Sequence, residues 1–410
     1  MTHIFTITAK NYLSLALTLG QSVARHHPEA LFTICVADGI DDLSMSYEQS
    51  GHRLIDARTV LPDSAFNDMA FKYDVTEFCT SFKPAVFKHL FDTEPTTDLI
   101  YYMDPDTRLY SRLDSITEGS PEKTLYLAPH LLDCRIADDN PYPEYHHLWE
   151  GIFNLGFCAI RRTAASRRVL DWWDARLGIY CYSDYTDGLH TDQKWMDYAP
   201  AFFTKELQVV RHYGVNVAHW NLIERPLTLE NGMYYAGPDP LIFFHFSGFD
   251  FKGDLLNKGV PLDRQKTYSG PLLNDFARDY RQAVKDNGYE ACIKLPYTYG
   301  RFDNGTPISK PHRRLYREYV KHNSVQNPFS IQGHFYLKLC DANLLDSSPA
   351  ASANYSKATV SNLSRKLQMI GFGLRLFART LGFRRYAQMV KLFGFLGRFE
   401  NHNFLLDKQR

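Results

Sequence analysis

The chain opens on a short apolar run, His3–Thr8, and then places Leu13, Leu17, Gly20 and Ala24 at helical spacing across Asn11–His26 before Pro28 stops the pattern. A second apolar run fills Leu31–Ala37. Strand, helix and strand in this order predict a βαβ unit and a mostly parallel sheet. The alternation resumes with a helix over Ser81–Phe91 and a strand over Asp98–Met103. Further strands are predicted at Thr124–Ala128, Phe157–Ile160 and Leu241–Phe246, with a helix from Ala164 to about Leu177. The fold class is therefore α/β. Ligands of such sheets bind at the carboxyl ends of the strands, so polar residues just past a buried strand are the first candidates for chemistry.

Beyond residue 270 the character changes. Residues 271–345 read as a polar helical extension rich in Tyr, Arg and Lys, and 346–364, rich in Ser and Ala around Pro349, as a linker. In the tail, 365–410, Leu367, Ile370, Leu374, Phe377 and Leu381 recur at three- and four-residue spacing among Arg365, Lys366, Arg375, Arg379, Arg384 and Arg385. That predicts a basic amphipathic helix, with a second around Tyr386–Leu396. Two roles stay open for it: a helical pair packed on the protein, or a peripheral contact with an anionic membrane.

Charge sharpens this division. The whole chain balances 46 basic against 46 acidic side chains, yet residues 346–410 hold 11 Lys and Arg against Asp346, Glu400 and Asp407, a net of +8. The body has no basic footprint for nucleic acid, which excludes that partner class. With 44% hydrophobic and 22% charged residues, disorder and coiled coil are excluded too. Seven cysteines without a CxxC pair read as reduced, buried thiols. Tyr12–Leu19 lacks the basic flank and cleavage site of a signal peptide, and no run reaches 18 apolar residues. The expected place is the cytoplasm, at the inner face of the membrane if the tail docks there.

Four segments carry candidate chemistry. In LIYYMDPDTRLY, Asp104 and Asp106 follow an apolar strand, where both carboxylates can face one divalent cation; a solvated turn is the bland alternative. In LIFFHFSGFDFKGD, His245 can complete such a site, Gly248 lets backbone approach a phosphate and Lys252 adds a cation, although a strand histidine is often just a core residue. In FNLGFCAIRR, Asn154 and Gly156 open an apolar strand, as a turn would also require. In HTDQKWMDYAP, Asp192 and Gln193 precede an aromatic helix, where Asp192 could simply be an N-cap.

Taken in chain order, these segments resemble the glycosyltransferase family 8 pattern: an Asp-x-Asp strand end, an FNxG segment, a DQ segment and an HFxG segment with a nearby lysine. The resemblance spans roughly residues 1–255, including the opening TITAKNYLSLALTLGQSVARHHPEALFTICVAD. It implies a GT-A fold, with a Rossmann-like, mostly parallel central sheet flanked by helices, over residues 1–270, followed by a helical C-terminal extension. It also implies a nucleotide-sugar donor (a UDP-sugar), Mn²⁺ or Mg²⁺, retention of anomeric configuration, and a glycan or lipid-linked acceptor.

Residue by residue, the resemblance makes Asp104, Asp106 and His245 the metal ligands, and sets Thr8, Asn11, Tyr12 and Asp38 along the base and ribose. Lys83 would lie over the donor, and Gly248 and Lys252 at the diphosphate. Asn154, Asp192 and Gln193 would surround the transferred sugar as the catalytic group. The chain departs from the pattern twice: Asn11 stands where an acidic residue is often found, and FDFKGDL replaces the K-P-W that usually follows HFxG. Retention leaves two routes, a double displacement with Asp192 as nucleophile, or front-face attack by the acceptor. A metal-dependent nucleotidyltransferase or phosphohydrolase remains a rival within enzymes, and a peripheral membrane scaffold a rival outside them. Phosphate-cradle motifs of the P-loop or dinucleotide kind are absent.

Overall fold

The computed structural model describes residues 1–41, 43, 52–134, 144–253, 256–257, 270–345 and 363–406. They fall into two compact units, Met1–Asp63 with Val75–Tyr297, and Ser64–Asp74 with Thr298–Arg410.

The first unit is built on a seven-stranded mixed sheet. Its strands are β1 (Thr2–Thr8), β2 (Leu31–Val36), β3 (Arg53–Asp56), β4 (Leu99–Met103), β6 (Leu125–Pro129), β7 (Phe153–Arg161) and β8 (Leu207–Val209), in the order β3-β2-β1-β4-β7-β6-β8. The pairs β1–β2, β1–β4, β2–β3 and β6–β8 are parallel, and only β7 runs against its neighbours. This is the expected mostly parallel α/β sheet. All five residues of β4 are buried, as an apolar run in a sheet covered on both faces requires.

Helices α1 (Leu13–His26), α3 (Val75–Ser81), α4 (Lys83–Thr93) and α6 (Ser166–Tyr180) flank the sheet, while α2 (Asp63–Lys72) is almost wholly in the second unit. α1 buries Leu13, Leu17, Leu19 and Val23 in one cluster with Ile4, Ile34, Tyr101 and Phe157 from the sheet. Each side chain of this size contributes about 1.5–3 kcal/mol when fully buried.

The reversal at β7 has a consequence for chemistry. The carboxyl ends of β1 and β4 lie at the same edge as the amino end of an antiparallel neighbour, so Asp104, just after β4, meets Gly156 near the start of β7; the Asp104 amide donates to the Gly156 carbonyl at 2.8 Å. A two-stranded ladder of β5 (Thr107–Leu109) and β12 (Phe243–His245) then pairs Thr107 with His245. Between them in sequence come α5 (Glu144–Glu150), α7 (Ala199–Phe202) and a small sheet of β9 (Leu227–Glu230), β10 (Met233–Ala236) and β11 (Asp239–Pro240).

The first unit continues past residue 270, the boundary expected from the sequence. α8 (Pro271–Asp286) buries Phe276, Ala277, Tyr280 and Val284 in a cluster with Leu241, Phe244 and Phe246, and α9 (Tyr289–Cys292) follows. That apolar face needs β12 as its partner, so the helix belongs to the same core. The cysteines form no disulfide, as expected, but Cys134 and Cys340 are exposed rather than buried. Cys134 lies in the loop after β6 and Cys340 next to the last residue of the helix His334–Asp341.

In the second unit, α10 (Lys310–Tyr319) directs Arg313 onto the carbonyls of Ala70, Phe71, Tyr73 and Tyr299, at 2.7–3.0 Å. Phe71 packs on Phe302, Tyr316, Phe329 and Phe335. α11 (His334–Asp341) and then α12 (Leu363–Leu396) complete it. α12 spans both expected tail helices, with Gly382 (φ 79°) interrupting the helical backbone. The expected linker, apart from its last two residues, lies outside the described residues. Leu367, Ile370, Phe372 and Phe383 of α12 are exposed. No helix among the described residues is long and apolar enough to cross a membrane.

Candidate metal and donor site

Asp104 and Asp106 bracket the short turn between β4 and β5. The turn is pinned by hydrogen bonds from the Thr107 amide (3.1 Å) and hydroxyl (2.7 Å) to the Asp104 carbonyl. The Asp106 carbonyl accepts from the Phe246 amide at 2.8 Å, which ties the turn to the end of β12. The β5–β12 ladder therefore delivers His245 to the acidic pair. Its Nε2 lies 3.2 Å from an Asp106 carboxylate oxygen and 3.7 Å from one of Asp104. One ligand atom from each of the three residues falls within 4.8 Å of the others.

Two oxygen donors and one imidazole suit a hard or borderline divalent cation such as Mn²⁺ or Mg²⁺. Gly156 supplies the space: a Cβ there would stand 2.4 Å from His245 Cε1. Burial alone would lower the His245 pKa, but the carboxylates of Asp106 and Asp104 overcome it and raise the value. The side chains thus form a preassembled negative cluster around one imidazole, the fit a cation requires.

Asn216 is the residue sequence reasoning missed. It is fully buried and adopts φ 55°, a left-handed conformation that costs most side chains energy and that Asn tolerates better than others. Its Oδ1 lies 3.3 Å from His245 Nδ1, and its Nδ2 donates to Asn154 Oδ1 at 3.1 Å. By accepting a hydrogen bond from Nδ1–H, Asn216 holds the imidazole with Nε2 toward Asp104 and Asp106, the arrangement in which Nε2 would face a cation held between them. No local pattern marked Asn216, because its partners are 29 and 62 residues away in sequence. Its one signal was the small, polar setting GVNVAHWN within an apolar stretch.

Lys83, at the first position of α4, is buried and faces inward. Its ammonium stands 2.7 Å from Asp192, 3.9 Å from Asp104 and 4.2 Å from the centre of the Tyr102 ring, and donates to the Leu155 carbonyl at 2.8 Å. Burial pulls its pKa down, but Asp192 and Asp104 more than restore it, and the net shift is upward. Asp192 is raised as well, by burial first, with Lys83 opposing. The N-cap alternative for Asp192 is answered by geometry: it occupies the cap position of the 3₁₀ segment Gln193–Tyr198, but its side chain makes no cap hydrogen bond and pairs with Lys83 instead. Thr191 before it holds φ 48°, strained for a β-branched residue, which fixes the direction of Asp192.

Asn154 and Gln193 join the same group. Asn154 Oδ1 accepts from the Gly156 amide at 3.1 Å, and its Nδ2 lies 3.2 Å from His130 Nε2. Gln193 accepts from the Leu155 amide (3.4 Å) and donates to the Glu150 carbonyl (2.8 Å). Asn154 and Gln193 are thus held by one stretch of β7, and Asp192 is linked to it through Lys83, which donates to the Leu155 carbonyl.

A cavity of about 250 Å³ opens beside the acidic pair, lined by Thr8, Asn11, Tyr12, Val75, Thr76, Tyr102, Asp104 and Asp106 among others. Three of the four expected base and ribose residues are on its wall. Asp38 sits behind it, buried, and accepts from the Lys10 amide at 2.8 Å, so it shapes the loop after β1. A larger cavity of about 610 Å³ lies by α1, β5 and β10 and holds none of the expected site residues. Gly248, at φ 65°, has space for no Cβ, since Asn257 Nδ2 would be 2.6 Å away. Lys252 is exposed in a turn whose Asp250 carboxylate accepts from the Lys252 amide (3.0 Å); among the described residues no ion pair joins it to Asp104 or Asp106.

No family model matches the chain. It is 23% identical to the uncharacterized protein YfnF of Bacillus subtilis over 246 residues, 60% of this chain and 80% of that protein. With the uncharacterized protein YfnD of the same organism it shares 28% identity over 175 residues, 42% of this chain and about half (54%) of that protein. Among solved structures it is similar to the galactosyltransferase LgtC bound to donor and acceptor sugar analogs (TM-score 0.43, 14% identity, covering 70% of this chain and 96% of that one). It is also similar to the glycosyltransferase GlyE of Streptococcus pneumoniae TIGR4 (TM-score 0.40, 14% identity, 74% and 67% covered).

Proposed function

We propose that this chain is a GT-A type glycosyltransferase that moves a sugar from a nucleotide-diphosphate donor, a UDP-sugar, to a glycan or lipid-linked acceptor, with retention. The observation that carries the reading is the convergence of Asp104, Asp106 and His245 beside a nucleoside-sized cavity, at the carboxyl end of β4. Mn²⁺ or Mg²⁺ held there would neutralise charge that develops on the leaving diphosphate.

The chain's own groups do the rest. Thr8, Asn11 and Tyr12 line the wall for base and ribose, while Lys83 stands as a buried cation 3.9 Å from Asp104, close to the charge that builds up on bond cleavage. Gly248 and Lys252 belong to the diphosphate side of this reading. Asn154 and Gln193 orient the transferred sugar. Asp192 holds Lys83 at 2.7 Å, so its carboxylate is engaged as a counter-ion. That favours front-face attack, in which the acceptor hydroxyl gives its proton to the leaving diphosphate oxygen and the enzyme supplies orientation and charge stabilisation.

The tail takes a second part in the reading. α12 carries seven Lys and Arg and no Asp or Glu, with exposed Leu367, Ile370, Phe372 and Phe383 between them. Such a helix suits the surface of an anionic bilayer at the cytoplasmic face. Flotation with vesicles of anionic lipid, absent with zwitterionic vesicles, supports this; equal behaviour with both contradicts it.

The reading is tested with a thermal-shift panel of UDP-, GDP- and dTDP-sugars with and without Mn²⁺, since selective binding to the folded state raises Tm. A UDP-sugar shift that needs Mn²⁺ supports it. Folded protein that shows no metal-dependent shift with any nucleotide contradicts it.

A further inference from the structure

Just past Gln193 the chain turns a row of aromatic rings outward. Trp195 and Tyr198 are three apart in the 3₁₀ segment Gln193–Tyr198, where positions i and i+3 eclipse one another. Phe202 is four further on in α7, the spacing that keeps a side chain on the same face of an α-helix. The switch of helix type thus aligns all three rings, while Gln193, Met196 and Ala199 point inward and are buried.

Tyr180, the last residue of α6, extends the row: the Trp195 indole donates to the Tyr180 carbonyl at 3.2 Å. Ring centres are 6.2 Å apart for Tyr180–Trp195, 6.4 Å for Trp195–Tyr198 and 5.0 Å for Tyr198–Phe202, with interplanar angles of 38°, 26° and 16°. Trp172 braces Phe202 edge-on at 5.7 Å.

Such a row is unusual on a surface. Tyr180, Tyr198 and Phe202 are exposed by 42–50%. The charges within the segment cancel, since Lys194 pairs with Asp197 at 2.8 Å. That neutrality argues against an anionic occupant. Area argues against a protein partner: three half-exposed rings and the partly buried Trp195 offer on the order of 350 Å², less than half of the roughly 800 Å² per partner that a stable interface buries. Pyranose rings fit better. They present C–H faces to aromatic surfaces and hydroxyl groups to the polar tips and surrounding water, and a chain of them is long, narrow and uncharged, as this row is.

We infer that Tyr180, Trp195, Tyr198 and Phe202 form a binding strip for a glycan chain, the acceptor or its already extended part. The inference rests on the glycosyltransferase reading and deepens it, because it makes the acceptor an oligo- or polysaccharide rather than a lone sugar. With about 2 Å of rise per residue, Tyr198 lies roughly 10 Å from Gln193 along the segment. The strip thus begins on the same segment that carries Gln193, on the face opposite its buried side chain.

The test is native affinity electrophoresis of the full chain through gels containing dextran, xylan, galactomannan or hydroxyethyl cellulose, run on wild type and on the double variants W195A/Y198A and Y198A/F202A. Retardation of wild type by at least one polysaccharide, weakened roughly tenfold or more in both variants, is expected; tenfold corresponds to about 1.4 kcal/mol. The variant W195F/Y198F, which keeps the rings, should keep the retardation. Sedimentation of the same proteins covers the other occupant: a wild-type dimer that W195A/Y198A converts to monomer makes the strip a protein interface and overturns the inference. Absence of retardation in all four gels, or equal retardation of the variants, also overturns it. Donor binding is read separately, as the Mn²⁺-dependent UDP-sugar thermal shift, which the variants should retain. Loss of the polysaccharide effect with the shift intact sinks only the strip, whereas a missing shift in wild type sinks the transferase reading.

Discussion

Replacing Lys83 by Met tests the most consequential contact inside the site. The ammonium is buried, pairs with Asp192 at 2.7 Å, and also satisfies the Leu155 carbonyl. Methionine keeps the length of the side chain and removes its charge, leaving a carboxylate that is 2% exposed without its cation. Breaking a buried pair on one side costs about 3–5 kcal/mol. For a unit of this size the fall in Tm is then on the order of 10 °C.

The pH dependence gives the sign. The folded-state pKa of Asp192 is already above its ordinary value because of burial, with Lys83 opposing. Without Lys83 it rises further, so the carboxyl takes up its proton at a higher pH than in the wild type. The penalty of K83M should therefore be largest near pH 8 and shrink as the pH falls through the raised value. The double variant K83M/D192N should recover most of the lost Tm, with a coupling of at least about 1 kcal/mol in a double-mutant cycle. The assay is thermal unfolding of the four proteins at pH 5, 6.5 and 8. An unchanged Tm in K83M, or strictly additive effects at all three pH values, would refute the reasoning.

Other consequences are simpler to read. G156A places a Cβ 2.4 Å from His245 Cε1 in a buried setting, so it should destabilise the fold by about 1–3 kcal/mol and weaken Mn²⁺ binding, measured by calorimetry. N216G keeps the φ of 55° accessible but removes both side-chain hydrogen bonds; Mn²⁺ affinity should fall roughly 10–100-fold with only a small change in Tm, and a large Tm loss with normal affinity would make Asn216 merely structural. His130 and His219 are held at a pKa of about 3 and His3 at about 4, in each case by burial first. Since the unfolded chain binds their protons near pH 6.5 and the folded chain does not, stability should fall by about 1.4 kcal/mol per group per unit as the pH drops below 6.5, continuing toward pH 4 in urea titrations. A stability that is flat from pH 6.5 to 4.5 contradicts this.

The strand ends were legible in the sequence because apolar runs such as LIYYM stop abruptly at polar residues, and β4 ends at Met103 with Asp104 following at once. The antiparallel course of β7 was not, since pairing direction depends on where the chain returns, and FNLGFCAIR would be equally apolar in either direction. That reversal is what brings Asn154 to the edge where Asp104 stands. The third cluster member, His245, was legible as a polar residue closing an apolar strand, but the Lys83–Asp192 contact joins residues 109 positions apart and no local pattern announces it. The same holds for Asn216. α8 was placed outside the catalytic unit because its polar face dominates its composition; its four buried residues become visible only once β12 is there to receive them. The aromatic row was hidden for another reason, because Trp195, Tyr198 and Phe202 align only through a 3₁₀ turn passing into an α turn.

The central claim is that Asp104, Asp106 and His245 hold a cation that assists departure of a nucleoside diphosphate. It is tested most directly by incubating the protein with UDP-sugars and following the nucleotide product by chromatography, with Mn²⁺, with a chelator, and in D106N shown to be folded by circular dichroism. The account predicts UDP release from at least one UDP-sugar with Mn²⁺, its loss with chelator, and its loss in D106N. UDP release that persists in D106N, or nucleoside monophosphate and sugar phosphate in place of UDP, would contradict it.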